Sequence, residues 1–272
     1  MTDGPTTEFG NTQALTHMLD SMRKGELEII YSGKPLAMGG KLGEGGTKTV
    51  YEAVIGDSNY ALAVPNTVDG VERMTQKWMV ALQEPANTER VKAIGFFANP
   101  TCKALPVSIN GVSFTALQMT RYQDLPYQIM DGKNSRSSTV TKDVLPSGVD
   151  GDSFEEYFAH IVPDIQRLIQ NSVRVGGDSI NVCLVDGQPR IFLSDLGNVQ
   201  FEAFSEEQIP AISEMYVAHA LSAFINGLTE AEYRKHKAFL ESEHFKFNNP
   251  DNVTQGLSKR VQTSISGNSD SI

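Results

Sequence analysis

The sequence predicts an α+β protein of two lobes, the first a small antiparallel sheet carrying one helix and the second mainly helical. Three observations lead there. Residues 27–119 hold short β-rich runs separated by turn residues, with a single stretch of helical period. A glycine cluster, Gly43-Glu44-Gly45-Gly46, lies between two of those runs. Beyond residue 150 the apolar residues fall into long helical periods. Strands first and helices later make an α+β chain.

The elements follow in order. The first thirteen residues are polar and predict no fixed structure. Leu15, Met18, Leu19 and Met22 recur at helical spacing over 14–22. Leu27-Glu28-Ile29-Ile30-Tyr31 reads as a strand and Ser32-Gly33-Lys34-Pro35 as a turn. Residues 41–55 read as strand, glycine loop, strand, and 59–64 as a further strand. Val71, Met74, Trp78 and Leu82 predict a helix over 71–83 that stops at Pro85. Residues 91–97 and 112–119 read as two more strands. Residues 131–152, rich in Ser, Gly, Asp and Thr, read as a loop or flexible insertion. Phe154, Phe158, Ile161, Ile165 and Leu168 share one face of a helix over 154–169, with Pro163 placed to kink it. Residues 181–184 and 191–193 are short strands around the turn Asp186-Gly187. A long apolar helix covers 212–228 and stops at Asn226-Gly227. Residues 230–247 read as a charged helix, and the Ser/Asn/Gly/Gln-rich chain from 248 as unstructured.

Composition narrows the function. A chain of 272 residues is long enough for a substantial core, and its net charge of -10 argues against a nucleic-acid partner, which needs a basic face. No apolar run reaches the roughly 18 residues of a membrane span. The polar start has no secretory pattern. The expectation is a soluble protein working in a cytosol, its own or that of a host into which it is delivered. Cys102 and Cys183 are too few for a disulfide framework or a zinc site and read as reduced. His17, His160, His219, His236 and His244 lack metal-ligand spacing and read as structural or exposed. No G-x-S-x-G run supports hydrolase chemistry.

Two runs carry chemistry. In Leu42-Gly43-Glu44-Gly45-Gly46-Thr47-Lys48-Thr49-Val50 the glycines allow close approach of backbone amides to an anion, and Lys48 adds a mobile positive charge. Val50 and Ala61, on the flanking strands, are placed to cover an adenine. In Ser194-Asp195-Leu196-Gly197 an aspartate leaves a strand end at a glycine turn, where its carboxylate can face a divalent cation that wants hard oxygens.

Taken in order, these runs resemble the protein kinase family. Residues 43–50 look like its G-x-G-x-x-G-x-V loop, with Lys48 at the third glycine, and Tyr60-Ala61-Leu62-Ala63 looks like its V-A-I-K strand, with Ala63 where the lysine belongs. That paired change is similar to the with-no-lysine kinases, in which the phosphate-binding lysine sits in the glycine loop. Asp195-Leu196-Gly197 looks like D-F-G. Residues 176–182 resemble the catalytic loop, with Asn181 as second metal ligand, 14 positions before Asp195. Aligned on Asn181, the catalytic aspartate falls at Gly176, and the nearest acid is Asp178. Asp178 reads as a displaced base, as another metal ligand, or as a turn aspartate. Residues 114–122, with Gln118 and Met119, look like the strand and hinge that bind adenine. The helix over 71–83 resembles the regulatory helix, but Glu72 and Glu84 both flank the expected place of its glutamate.

The resemblance implies a bilobal protein-kinase-like fold with an extension over 1–26, a small lobe over 27–122, a large lobe over 123–247 with the insertion near 131–152, and a tail over 248–272. It implies bound ATP and Mg2+, with Gly43, Gly45, Gly46, Lys48, Val50, Ala61, Gln118 and Met119 around the nucleotide. Asn181 and Asp195 would hold the metal, and Asp178 and Lys48 would act in catalysis. The activity implied is an atypical serine/threonine protein kinase with a protein substrate, compact like bacterial effector or phage kinases. The missing loop aspartate keeps open a pseudokinase that binds nucleotide or protein, or another ATP-dependent transferase such as an adenylylating enzyme.

Overall fold

The computed structural model describes residues 11–130 and 160–226. The sequence readings over 1–10, 131–159 and 227–272 lie outside the described residues. The chain is α+β and divides into two compact units. The first takes 11–90, 99–125 and 196–198 of the described residues, and the second takes 91–98, 126–130, 160–195 and 199–226.

The first unit begins with helix α1 (Thr12–Arg23), capped by Asn11, whose side chain accepts the Ala14 N–H at 3.0 Å. Seven strands follow in one antiparallel sheet: β1 (Ile29–Tyr31), β2 (Lys34–Pro35), β3 (Ala37–Glu44), β4 (Lys48–Ile55), β5 (Ser58–Pro65), β7 (Cys102–Ile109) and β8 (Val112–Met119). Their spatial order is β2-β1-β7-β8-β5-β4-β3. Local turns set much of this register. Asn110 and Gly111 both take positive φ, which is the tight hairpin turn that pairs Ile109 with Val112. Helix α2 (Val71–Ala81) buries Met74, Trp78 and Ala81 in a core shared with Leu15, Met18 and Leu19 of α1. Trp78 is fully buried, and its indole N–H is satisfied by the Thr115 carbonyl at 2.9 Å.

Three readings of this half are corrected. Residues 91–97 are not a strand: helix α3 (Glu84–Ala93) occupies most of that stretch, and β6 is only Phe97–Ala98. The run Glu-Pro-Ala-Asn-Thr-Glu-Arg-Val-Lys-Ala carries no apolar stripe, so periodicity does not reveal it. Pro85 does not end a helix but stands in the first turn of one, where its missing N–H costs nothing. The sheet therefore carries more than one helix. Strand β7, with Leu105, Val107 and Ile109 buried in alternation, was not read from the sequence at all.

The second unit corrects the expectation of a mainly helical half. It holds a four-stranded sheet ordered β6-β12-β11-β9, from β9 (Gln128–Met130), β11 (Ile180–Val185) and β12 (Gln188–Leu193), and a two-stranded ladder of β10 (Val173–Arg174) and β13 (Gln200–Phe201). Only the β11–β12 hairpin is local, turned by Asp186 and Gly187 at positive φ. The outer strands are two or three residues long and gain their form from pairing, which no periodicity records. Helix α4 (Val162–Gln170) has Pro163 at its N-terminal turn, so this proline starts the helix and does not kink it. Helix α5 (Ile209–Asn226) follows, and Tyr216 on it donates its hydroxyl to the Val173 carbonyl at 2.8 Å.

Asp164 of α4 is the buried charge of this unit, 1% exposed. Its carboxylate accepts from Arg190 Nε and Nη2 at 2.9 and 2.8 Å and from the Ile191 N–H at 2.9 Å. Arg167 adds a fourth contact at 3.2 Å. A carboxylate so enclosed is tolerated because each lone pair meets a donor. Asp164→Ala should lower unfolding stability by about 3 kcal/mol, near the lower end for breaking a buried pair. Urea unfolding followed by far-UV circular dichroism measures it, and a loss under about 1 kcal/mol would show the cluster to be peripheral.

Candidate functional site

In the first unit the glycine cluster connects β3 to β4. Gly43 lies opposite Val50, and the Gly45 N–H donates to the Lys48 carbonyl at 2.9 Å, closing the hairpin. Residues paired across antiparallel strands share a face. Val50 pairs with Ala63, Glu52 with Ala61, and Ala61 with Met119, so these side chains line one face together with Lys48 at the start of β4. Gln118 pairs with Leu62, so its buried side chain points to the opposite face. Arg121, just past β8, forms ion pairs with Glu52 and Asp124 at the end of this face, a feature the sequence reading did not identify.

Lys48 meets Glu84, the first residue of α3, with Nζ 2.5 Å from Oε2. The side chains are 14% and 6% exposed, so this is an ion pair largely withdrawn from water. Sequence reasoning placed Glu84 beyond the end of a helix. An acidic residue directly before a proline, in the position of a helix start, was the signal that could have found it. Cys102, opposite Met119, lies beside this pair; burial, reinforced by the Glu84 charge, pushes its thiol up to about 12. Cys183, in β11 of the second unit, is likewise pushed up to about 12 by burial. Both cysteines are free.

The second unit gathers Asp178, Asn181 and Asp195. The turn Gly177–Ser179 is closed by the Ser179 N–H on the Gly176 carbonyl at 3.1 Å. Ser179 binds both sides of the next strand end: its carbonyl accepts the Ser194 N–H at 3.0 Å, and its hydroxyl donates to the Asp195 carbonyl at 3.3 Å. Asn181 Nδ2 donates to Ser194 Oγ at 2.7 Å, which leaves Oδ1 as the oxygen it can offer a cation. Asp195 is exposed and has φ of 51°, a conformation uncommon outside glycine and tolerated best by Asn and Asp.

The two glycines before Asp178 have neighbouring side chains where a side chain of their own would stand. A Cβ on Gly176 would stand 2.7 Å from the Asp178 carboxylate, so Asp178 folds back into the space a side chain at 176 would fill. A Cβ on Gly177 would stand 2.1 Å from the ring of His219, which α5 brings against this turn. His219, read from the sequence as structural or exposed, is thus packed on the motif. Leu196 and Gly197 belong to the first unit: the Leu196 carbonyl accepts Asn87 Nδ2 at 2.8 Å, and a Cβ on Gly197 would come 2.8 Å from the Val80 carbonyl oxygen.

Asp195 and Asn181 offer a carboxylate and an amide oxygen, the hard donors that magnesium takes alongside phosphate and water. Among the described residues no group of three or more His, Cys, Asp or Glu side chains is arranged around a metal position. No protein-family model matches the chain, and no curated protein matches it.

Two outcomes follow from this geometry. Native Cys102 and Cys183 should alkylate at pH 8 roughly a thousandfold more slowly than exposed thiols, read by mass spectrometry, and at the ordinary rate once the chain is unfolded. Their raised values sustain stability below about pH 9 and withdraw it as pH climbs toward 12. Gly177→Ala should cost about 1–3 kcal/mol through overpacking. His219→Ala in the same chain should restore at least half of that loss, and strictly additive unfolding energies would disprove the contact.

Proposed function

We propose that the chain is an atypical, ATP- and magnesium-dependent protein kinase that transfers the γ-phosphate to a serine or threonine hydroxyl of a protein. The observation that carries this reading is the Lys48–Glu84 pair. A lysine held by a helix glutamate is the arrangement kinases use to grip the nucleotide phosphates. Here the lysine comes from the glycine loop, where a with-no-lysine kinase carries it, and Glu84 supplies the partner.

On the kinase reading, with its two lobes, the first unit binds nucleotide and the second unit serves the metal and the acceptor. Val50, Ala61 and Met119 present the apolar face for adenine. Lys48, steadied by Glu84, takes phosphate oxygens. Asp195 and Asn181 would hold magnesium, whose charge would neutralise phosphate oxygens. The Asp178 carboxylate orients the acceptor hydroxyl and takes its proton. The hydroxyl oxygen bonds to the γ-phosphorus, the bond to the bridging oxygen breaks, and ADP leaves. Such transfers depend chiefly on positioning and charge, so a base reached from residue 178 in place of 176 suits the chemistry.

Gly176 favours a second reading, a pseudokinase that binds nucleotide without transfer. One experiment separates the two. Magnesium-ATP at millimolar concentration should raise the thermal midpoint of the wild type, and Lys48→Met and Asp195→Asn should abolish the rise. Asp178→Asn should keep the rise and lose about a hundredfold in phosphate transfer, read by intact mass of the product. Binding without transfer in the wild type selects the pseudokinase, and a wild type whose midpoint does not move overturns both.

A further inference from the structure

The carbonyl groups of the glycine loop are engaged by the connection from β5 into α2 and by α2 itself. Gly45 O accepts Asn66 Nδ2 at 2.6 Å, and Gly46 O accepts Lys77 Nζ at 2.8 Å. The Asn66 N–H also donates to Thr47 O at 3.0 Å. The anchors are themselves fixed. Asn66 is 5% exposed, and its Oδ1 accepts the Val68 N–H at 2.9 Å. Lys77 is paired with Asp69 at 2.6 Å. Arg23 of α1 donates to the Thr67 and Asp69 carbonyls, both at 2.8 Å, and ties the connection down.

A trans peptide points its N–H opposite to its C=O. Holding the Gly45 carbonyl toward Asn66 therefore turns the Gly46 N–H away from it. Holding the Gly46 carbonyl toward Lys77 does the same to the Thr47 N–H. A Gly-Gly sequence can otherwise rotate these peptides at little steric cost, and a carbonyl turned to a phosphate repels it. We propose that Asn66 and Lys77 are positioning residues that lock the glycine loop with the Gly46 and Thr47 amides presented to the phosphates of a nucleotide. They act through the backbone and leave direct phosphate contact to the amides and Lys48. Fixing the donors in advance removes an ordering cost from binding. The inference rests on the nucleotide reading above and deepens it.

The test is affinity of the full chain for ATP, by calorimetry, and for adenosine, by competition. Adenosine shares the base and sugar but lacks the phosphates. Asn66→Ala and Lys77→Met should each weaken ATP at least tenfold and leave adenosine within twofold. Asn66 is uncharged, so its effect cannot arise from lost Coulomb attraction, and Lys77→Arg, which keeps a donor, should recover most of the affinity. ATP affinity unchanged in Asn66→Ala and Lys77→Met would overturn the inference and leave the nucleotide reading standing. Equal losses for ATP and adenosine would overturn it too, because they would mark general damage to the fold. A wild type that binds neither ligand overturns the nucleotide reading and the inference with it.

Discussion

The arrangement of the first unit turns on one constraint, the burial of opposite charges at Lys48 and Glu84. A charge taken from water costs several kcal/mol unless a partner and hydrogen bonds compensate it. The start of β4 and the start of α3 must therefore keep their spacing, or one charge is left stranded. Such a pair gains little stability over apolar side chains of equal size. Its presence beneath the glycine loop is for that reason a pointer to function more than to folding. Cys102 registers the same environment, since burial first and the Glu84 carboxylate second make its thiol resist ionisation.

A second constraint acts on the turn at 176–178, where bare backbone is filled by neighbours. The Asp178 carboxylate occupies the side-chain space of Gly176, and the His219 ring that of Gly177. A side chain at either position would displace the group now there. The two glycines and Asp178 are consequently one feature: a linear reading treats Gly176 and Asp178 as unrelated, whereas the Asp178 carboxylate lies where a side chain at 176 would stand.

What could be read in the sequence was what is decided locally. Asp186-Gly187 forces its hairpin through its own backbone preferences, and the periods of α1, α2 and α5 are written in consecutive residues. Lys48, Asn181 and Asp195 were picked out because they stand at fixed offsets from glycines and strand ends. Helix α3 was not, because it has no apolar stripe and its packing decides it. Strands β6 and β9 exist only through partners distant in the chain. Asn66, Lys77 and His219 act through tertiary contacts, so spacing could not flag them. Gln118 and Met119 were both assigned to the nucleotide, although neighbouring strand residues point to opposite faces; alternation alone would have separated their side chains.

The charge of the chain limits how a nucleotide could be held. At -10 the protein repels a polyphosphate at long range, and salt screens that field beyond about 8 Å. Attraction must then come from groups within contact distance. Lys48 cannot supply it alone, because Glu84 already neutralises much of its charge. The remaining attraction falls to oriented amides and to a divalent cation, neither of which adds a fixed positive charge to the folded chain. A glycine loop whose carbonyls are held by Asn66 and Lys77 would offer oriented amides of that kind. On the proposed reading an acidic protein can bind an acidic ligand because its attraction is short-ranged and preorganised.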